Sequence, residues 1–238
     1  MIDRVEDNKD FRLDAFRTGK AYTVAQAARL AGTTPTTVRR WLVGYEAPGH
    51  RMEPVFGGRG DGEESPIAVS FLQLVEIAVA AKFRSLRPVS RCVSLDRLRA
   101  AHRFARDQLH LKYPFATLPL FEFGGHLLHD FEMREPGPGI LALDVGGQWA
   151  LPEIVQQEGH QLDFGEEDPF AIRWFPLGRQ APVVVDPRIA AGRPTIYRRG
   201  ITLDTVTRRW RAGDTIEQLA WDYELESGDV EQVLRYAA

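Results

Sequence analysis

Small and apolar side chains recur at helical spacing in two short stretches near the amino end, Ala27, Ala28 and Ala31 in the first, Val38 and Trp41 in the second. This pattern predicts two short helices that face each other. Thr23 with Gln26 after it makes a capping box for the free amides of the first turn, and Gly32 supplies the positive backbone angle that ends that helix. Thr34 caps the second helix, and Pro35 takes its first position, where no N–H is needed; the helix should run to about Leu42. Further on, Val55-Phe56, the glycines Gly57, Gly58, Gly60 and Gly62, and Ile67-Ala68-Val69 read as two short strands around a flexible tip. Ser70 with Gln73 opens a helix that is apolar on most faces through Phe83 and should be buried. A further helix carries Leu95, Leu98, Ala101, Ala105 and Leu109 on one face, with Arg99, Arg103 and Arg106 elsewhere.

Alternating apolar residues around Gly124-Gly125 predict a hairpin over residues 121–129, with short strands to follow at 140–144, 148–151 and 171–175. After Val183-Val184-Val185 the pattern turns helical again. Thr202 or Asp204 opens a first helix that ends at Gly213. Asp214 with Glu217 opens a second, with Ile216, Leu219, Ala220 and Tyr223 inward. Ser227 caps a third, with Val230, Val233 and Leu234 inward. The expected fold class is therefore α+β. A winged helix-turn-helix occupies residues 1–112, a small, β-rich, acidic middle module 113–180, and a helical, helix-turn-helix-like module 181–238.

Composition narrows the class. With 238 residues, 44% of them hydrophobic and 26% charged, the chain is neither disordered nor fibrous. No apolar run approaches the roughly 18 residues that span a bilayer, and the acidic, polar start lacks an export signal, so a cytoplasmic protein without a membrane partner is expected. Cys92, the single cysteine, can make neither an intramolecular disulfide nor a thiolate metal site by itself. The formal net charge of -3 conceals three blocks: residues 82–110 are basic, 115–170 acidic with Arg134 as the single arginine or lysine, and 171–211 basic again. Distinct surfaces for more than one partner follow.

The outward side of the second helix carries Thr36, Thr37, Arg39 and Arg40. Two helices across a tight turn, with such groups exposed, have the form of a DNA-reading helix-turn-helix. Threonines can touch base edges, and arginines pair with phosphate or with guanine O6 and N7. The run from Tyr22-Thr23-Val24 through Thr36-Thr37-Val38-Arg39 resembles the MerR-like regulators over roughly the first 110 residues. That resemblance implies a glycine-rich wing, on which Arg51 and Arg59 are candidate phosphate contacts. Thr34, Thr36, Thr37, Arg39, Arg40, Arg51 and Arg59 are thus the candidate DNA-binding residues.

The helix pair near the carboxyl end has a similar shape, but its nominal reading helix bears Asp229 and Glu231, with Glu224 and Glu226 leading into it. Such carboxylates repel phosphate, so no DNA reading is expected there. Asp186-Pro187, Ile189, Gly192-Arg193-Pro194, Ile196, Ile201, Gly213 and the closing Val233-Leu234-Arg235-Tyr236-Ala237 resemble the domain-of-unknown-function family 433 over about the last 55 residues. Where that family commonly has Gly-Thr-Arg, this chain has Arg198-Arg199-Gly200. The whole layout resembles the VapB-type antitoxins. The resemblance implies an antitoxin that binds operator DNA as a homodimer, regulates its own operon as a repressor, and neutralises a cognate PIN-like ribonuclease toxin. Such nucleases hold magnesium with clustered carboxylates, and Arg193, Arg198 and Arg199 are the candidate toxin-binding residues against them.

Two rival readings remain in view. A MerR-like regulator without a toxin could sense a metal or small molecule through the middle module. An enzyme could use Glu122, His126 and His129 as acid and base groups, but no nucleophile, phosphate loop or metal motif accompanies them. On a strand His126 and His129 would point to opposite faces, and the acidic run of Asp163, Glu166, Glu167 and Asp168 beside His160 reads as solvated loop. No catalytic residue, cofactor or metal is expected.

Overall fold

The computed structural model describes residues 15–56, 68–145 and 147–237. Its mixture of helices and two-stranded antiparallel ribbons makes the chain α+β. The order begins with α1 (Ala15–Thr18), β1 (Lys20–Thr23), α2 (Val24–Leu30), α3 (Pro35–Val43), β2 (Tyr45–Ala47), β3 (His50–Met52), β4 (Ala68–Ser70) and α4 (Phe71–Arg84). It continues with α5 (Leu95–Leu109), α6 (Leu118–Arg134), β5 (Leu143–Val145), β6 (Gln148–Ala150), α7 (Glu153–His160), β7 (Leu162–Phe164) and β8 (Ala171–Trp174). It closes with β9 (Val183–Val184), β10 (Thr195–Ile196), α8 (Leu203–Arg211), α9 (Ile216–Tyr223) and α10 (Ser227–Ala237). Among the described residues no helix is long and apolar enough to cross a membrane.

The first helix pair forms as its local chemistry dictates. Thr23 and Gln26 close the capping box on α2, Thr34 accepts from the Thr37 amide at the start of α3, and Gly32 turns the chain at φ +65°. Behind the pair, β1 ladders antiparallel to β4, which leads straight into α4. The capping box of Ser70 and Gln73 starts α4 as expected, and the helix is buried on almost every face. One hydrophobic cluster gathers around it, running from Tyr22 through Phe71, Leu98, Phe115, Leu120 and Leu151 to Val185; a second, smaller one holds β9, β10 and α8 to α10 together.

Three expectations are corrected. Residues 121–129 are not a hairpin but the centre of α6, in which Leu120, Gly124, Leu128 and Phe131 are buried at helical spacing. Gly125 is a notch rather than a turn: a β-carbon there would collide with the Trp149 carbonyl and the Ala150 Cα, because the β5–β6 ribbon lies directly on the helix. With α7 added, the middle segment is more helical than stranded, not β-rich as expected. The ribbon after α3 is β2–β3, paired Tyr45 to Met52 and Ala47 to His50, while β4 pairs with β1 instead of bordering a wing. Val55 and Phe56 are buried irregular chain, both amides donating to the Trp41 carbonyl at 2.8 and 3.1 Å; the glycine-rich tip, with Arg59 and Ile67, lies outside the described residues. Finally, Thr215 with Gln218, not Asp214 with Glu217, caps α9, Thr202 caps α8, and Ser227 is already the first residue of α10. Asp214 is held instead by Arg209.

The notch makes a measurable claim. Gly125→Ala should destabilise the chain by about 1–3 kcal/mol through forced displacement of the β5–β6 ribbon. Gly228→Ala, where an added β-carbon meets nothing within 4 Å, should stay within about 0.5 kcal/mol of the parent in the same urea titration.

Candidate functional sites

The amphipathic split of α3 is complete. Val38 and Trp41 are buried, whereas Thr34, Thr36, Arg39 and Arg40 are exposed and Thr37 is half-buried. The Thr34 and Thr37 hydroxyls lie 2.9 Å apart and are engaged in the cap, which leaves Thr36, Arg39 and Arg40 as the outward polar side chains among the candidates on this helix. The Arg40 guanidinium stands 4.8 Å over the Tyr45 ring, which pre-orders it beside the β2–β3 ribbon. Arg51 sits on that ribbon opposite Glu46, 4.0 Å away; both side chains are well exposed, so the pair is worth little and Arg51 stays available to a stronger anion.

The basic block of residues 82–110 is divided: Arg84, Arg87, Arg91, Arg103 and Arg106 are exposed, whereas Arg97 and Arg99 are buried and Lys82 is half-buried. Arg97 donates to the Glu135 carbonyl at 2.5 Å and lies 3.6 Å from Glu132, Lys82 meets Glu158 at 3.1 Å, and Arg99 pairs with Asp96 at 2.6 Å. Arg97 and Lys82 thus answer the acidic middle of the same chain, whereas Arg99 is held within its own helix. The acidic run is answered likewise. Asp163 binds Arg173 and Arg179, and Asp168 takes a two-pronged pair from Arg17 at 2.8 and 2.7 Å, while Glu166 and Glu167 are exposed. Among the described residues no three His, Cys, Asp or Glu side chains are grouped as a metal site. His126 and His129 ride on a helix rather than a strand. His129 stacks flat on Trp149, and His126 faces a cleft of about 340 Å³ together with Glu122, Gln156 and His160.

The three candidate toxin-binding arginines do not form one cluster. Arg193 donates to the Ala190 carbonyl at 3.1 Å and borders a crevice shared with Tyr22, Arg29 and Tyr236. Arg198 and Arg199 lie on another crevice, next to Arg179 and Tyr197. Arg199 is a brace: it binds the Glu224 carboxylate at 2.7 Å and the Glu224 carbonyl at 3.0 Å. Arg198 stacks over Tyr197 at 5.2 Å and meets no carboxylate among the described residues.

Asp186 opens the carboxyl-terminal unit. Its buried carboxylate accepts from the Arg188 amide and guanidinium at 2.7 to 2.9 Å and from Arg173 at 3.2 Å. Burial alone would push this carboxyl up, but the Arg188 and Arg173 hydrogen bonds outweigh it and hold it below the usual carboxylate range. Arg17 hydrogen bonds hold Asp168 low in the same way. The unit is docked to the amino-terminal helix pair by Tyr22, whose hydroxyl donates to the Gly192 carbonyl at 2.8 Å across 170 residues of sequence. Burial pushes that phenol far up, so it remains a donor at every ordinary pH.

With this geometry in place, the family described as "Protein of unknown function (DUF433)" matches residues 183–237. A DUF433 domain is thus present where the sequence resemblance put it. Two Mycobacterium tuberculosis (strain ATCC 25618 / H37Rv) proteins are similar over most of their length. "Putative antitoxin VapB45" is 26% identical over 214 residues, 85% of this chain and 87% of that protein. "Uncharacterized protein Rv2308" is 26% identical over 228 residues, 91% of this chain and 90% of that protein. The crystal structure of Rv2018 from Mycobacterium tuberculosis shares the fold, with a TM-score of 0.75 at 24% identity over 92% of this chain and 99% of that one.

The two depressed carboxyls set an acid dependence. A group that is more acidic when folded stabilises fully above its unfolded value of about 3.9, and that contribution vanishes as pH falls through the folded value. The melting temperature is therefore expected to fall as pH drops below about 4. Asp186→Asn should lower it at neutral pH and flatten its acid limb, as read by circular dichroism between about pH 2 and pH 7.

Proposed function

We propose that this protein is the antitoxin of a toxin–antitoxin pair, binding its own operator through α2 and α3 and neutralising a PIN-like ribonuclease. The observation that carries the DNA half is the exposed face of α3, with Thr36, Arg39 and Arg40 outward while Val38 and Trp41 anchor the opposite face. In this reading α2 and α3 are a MerR-like helix-turn-helix whose second helix enters the major groove, with Arg51 and Arg59 flanking it on phosphates. The toxin half is supported by the similarity to a protein named as an antitoxin over 85% of this chain, and by the DUF433 domain. Arg193, Arg198 and Arg199 are its toxin-facing candidates. An operator of two half-sites implies a homodimer working in the cytoplasm, with no catalytic role of its own.

The cleft beside His126 favours a second reading, a regulator that responds to a small molecule held by Glu122, His126 and His160. The two readings part at one measurement: an antitoxin silences the product of the adjacent reading frame in a growth assay, whereas a sensor changes operator affinity on adding its effector.

Arg39→Ala combined with Arg40→Ala should weaken operator retention in a gel shift at least tenfold and flatten the salt dependence by roughly one unit of slope per lost phosphate contact. Both side chains are exposed, so the melting temperature should hold. Retention at parental strength would remove α3 as the reading helix.

A further inference from the structure

We propose that the groove running from Arg198 across Leu225 to Trp221 is the docking surface for the protein partner, taking a polypeptide segment with a carboxylate at one end and an apolar side chain in its middle. This rests on the toxin-binding reading and assigns it a site.

Two crevices meet here. One, about 430 Å³, is lined by Arg179, Tyr197, Arg198 and Arg199; the other, about 620 Å³, by Glu217, Ala220 and Trp221; Glu224 and Leu225 border both. Trp221 is 85% exposed, the most exposed of the large apolar side chains described. An indole left more open than the exposed Phe16, Phe123 and Trp210 is a natural anchor for a protein interface.

The backbone is unusual at the same place. Arg198 at φ +64° and Glu224 at φ +51° are two of the five non-glycine residues described with positive φ, and both line the groove. Such conformations persist where the surroundings impose them and gather at ligand clamps. Glu224 takes its conformation as the left-handed C-cap of α9, and Arg199 binds both its carbonyl and its carboxylate. Arg199, a toxin-facing candidate, thus also braces the groove's wall.

Charge decides the occupant. At one mouth the Arg179 guanidinium is matched by Asp163 and that of Arg199 by Glu224; Asp229 also lines the crevice, but Arg198, held over the Tyr197 ring, is in no ion pair among the described residues and is the cation left to pair with an incoming carboxylate. At the other mouth Glu217, its carboxyl kept low by its own amide and the Thr215 hydroxyl, stands beside Trp221. A nucleic acid strand would bring phosphates onto Glu217 and Glu224 and is disfavoured. A segment with a carboxylate toward Arg198 and an apolar side chain over Leu225 and Trp221 complements both ends.

The test uses the full chain and the product of the adjacent reading frame, with affinity measured by calorimetry. Trp221→Ala and Arg198→Glu should each raise the dissociation constant at least tenfold, while Phe123→Ala, exposed on α6 outside the groove, should leave it unchanged. In the unaltered chain, amide exchange over residues 217–229 should slow when the partner is added, a readout independent of how the variants fold. Binding by the parent with no loss in either variant, and no slowing over 217–229, overturns the groove while sparing the antitoxin reading. No binding by the parent overturns both. Variants that keep the partner but turn a parental dimer into a monomer make the groove a contact between copies of this chain, and variants that keep the partner but lose operator DNA make it a nucleic-acid surface; either result overturns the proposal.

Discussion

The fold is organised around a carboxylate that has no water to face. Glu76 sits on α4 at 1% exposure, bonded to His102 Nε2 at 2.8 Å and accepting from the Phe115 amide at 3.3 Å. A buried acid in an otherwise apolar helix is costly unless its partners are fixed, so α5 and the segment before α6 must hold their places against α4. The constraint extends outward through rings. His102 meets Phe56 and Phe115 edge to face at 5.1 and 5.0 Å, and Phe56 meets Trp41 at 6.0 Å. Trp41 is the inner anchor of α3. The outward threonine and arginines of that helix are thus carried on a stack of aromatic contacts that ends at one polar pair in the core.

The DUF433 unit is tied to this body by polar contacts of high geometric demand. Tyr22 reaches Gly192 at a point where that glycine has φ +76° and where a β-carbon would strike the phenol oxygen. Neither a bulkier residue at 192 nor a shorter one at 22 preserves the joint. Asp186 adds a second tie by holding Arg173 of β8 and Arg188 of its own loop. The exposed face of α3 and the Arg198–Trp221 groove then belong to one connected body.

Much of this was legible in the sequence because much of it is local. Capping boxes at Thr23 and Ser70, the stop at Gly32 and the cap at Thr34 are decided within four residues, and all form as read. What failed was decided at a distance. Gly124-Gly125 looks like a turn until the ribbon pressed against Gly125 is seen, although the spacing of Leu120, Gly124, Leu128 and Phe131 already held the helical signal. The inward share of the basic block was hidden because a count of charges says nothing of Glu132 and Glu158 waiting elsewhere in the fold for Arg97 and Lys82. The arginines at 193, 198 and 199 are near in sequence yet divide between two crevices, since the strand β10 runs between Arg193 and the other two. Trp221 drew no notice, as only its position on α9 reveals that nothing covers it.

The pair between Arg17 and Asp168 bridges 151 residues. During synthesis on the ribosome, the helices near the amino end can wind as soon as their caps emerge, but the acid that fastens the chain just before them is made only when most of the protein exists. Until then a nascent chain carries α3 on an unfinished base. Assembly of the mature molecule therefore waits on translation rather than on the winding of its parts.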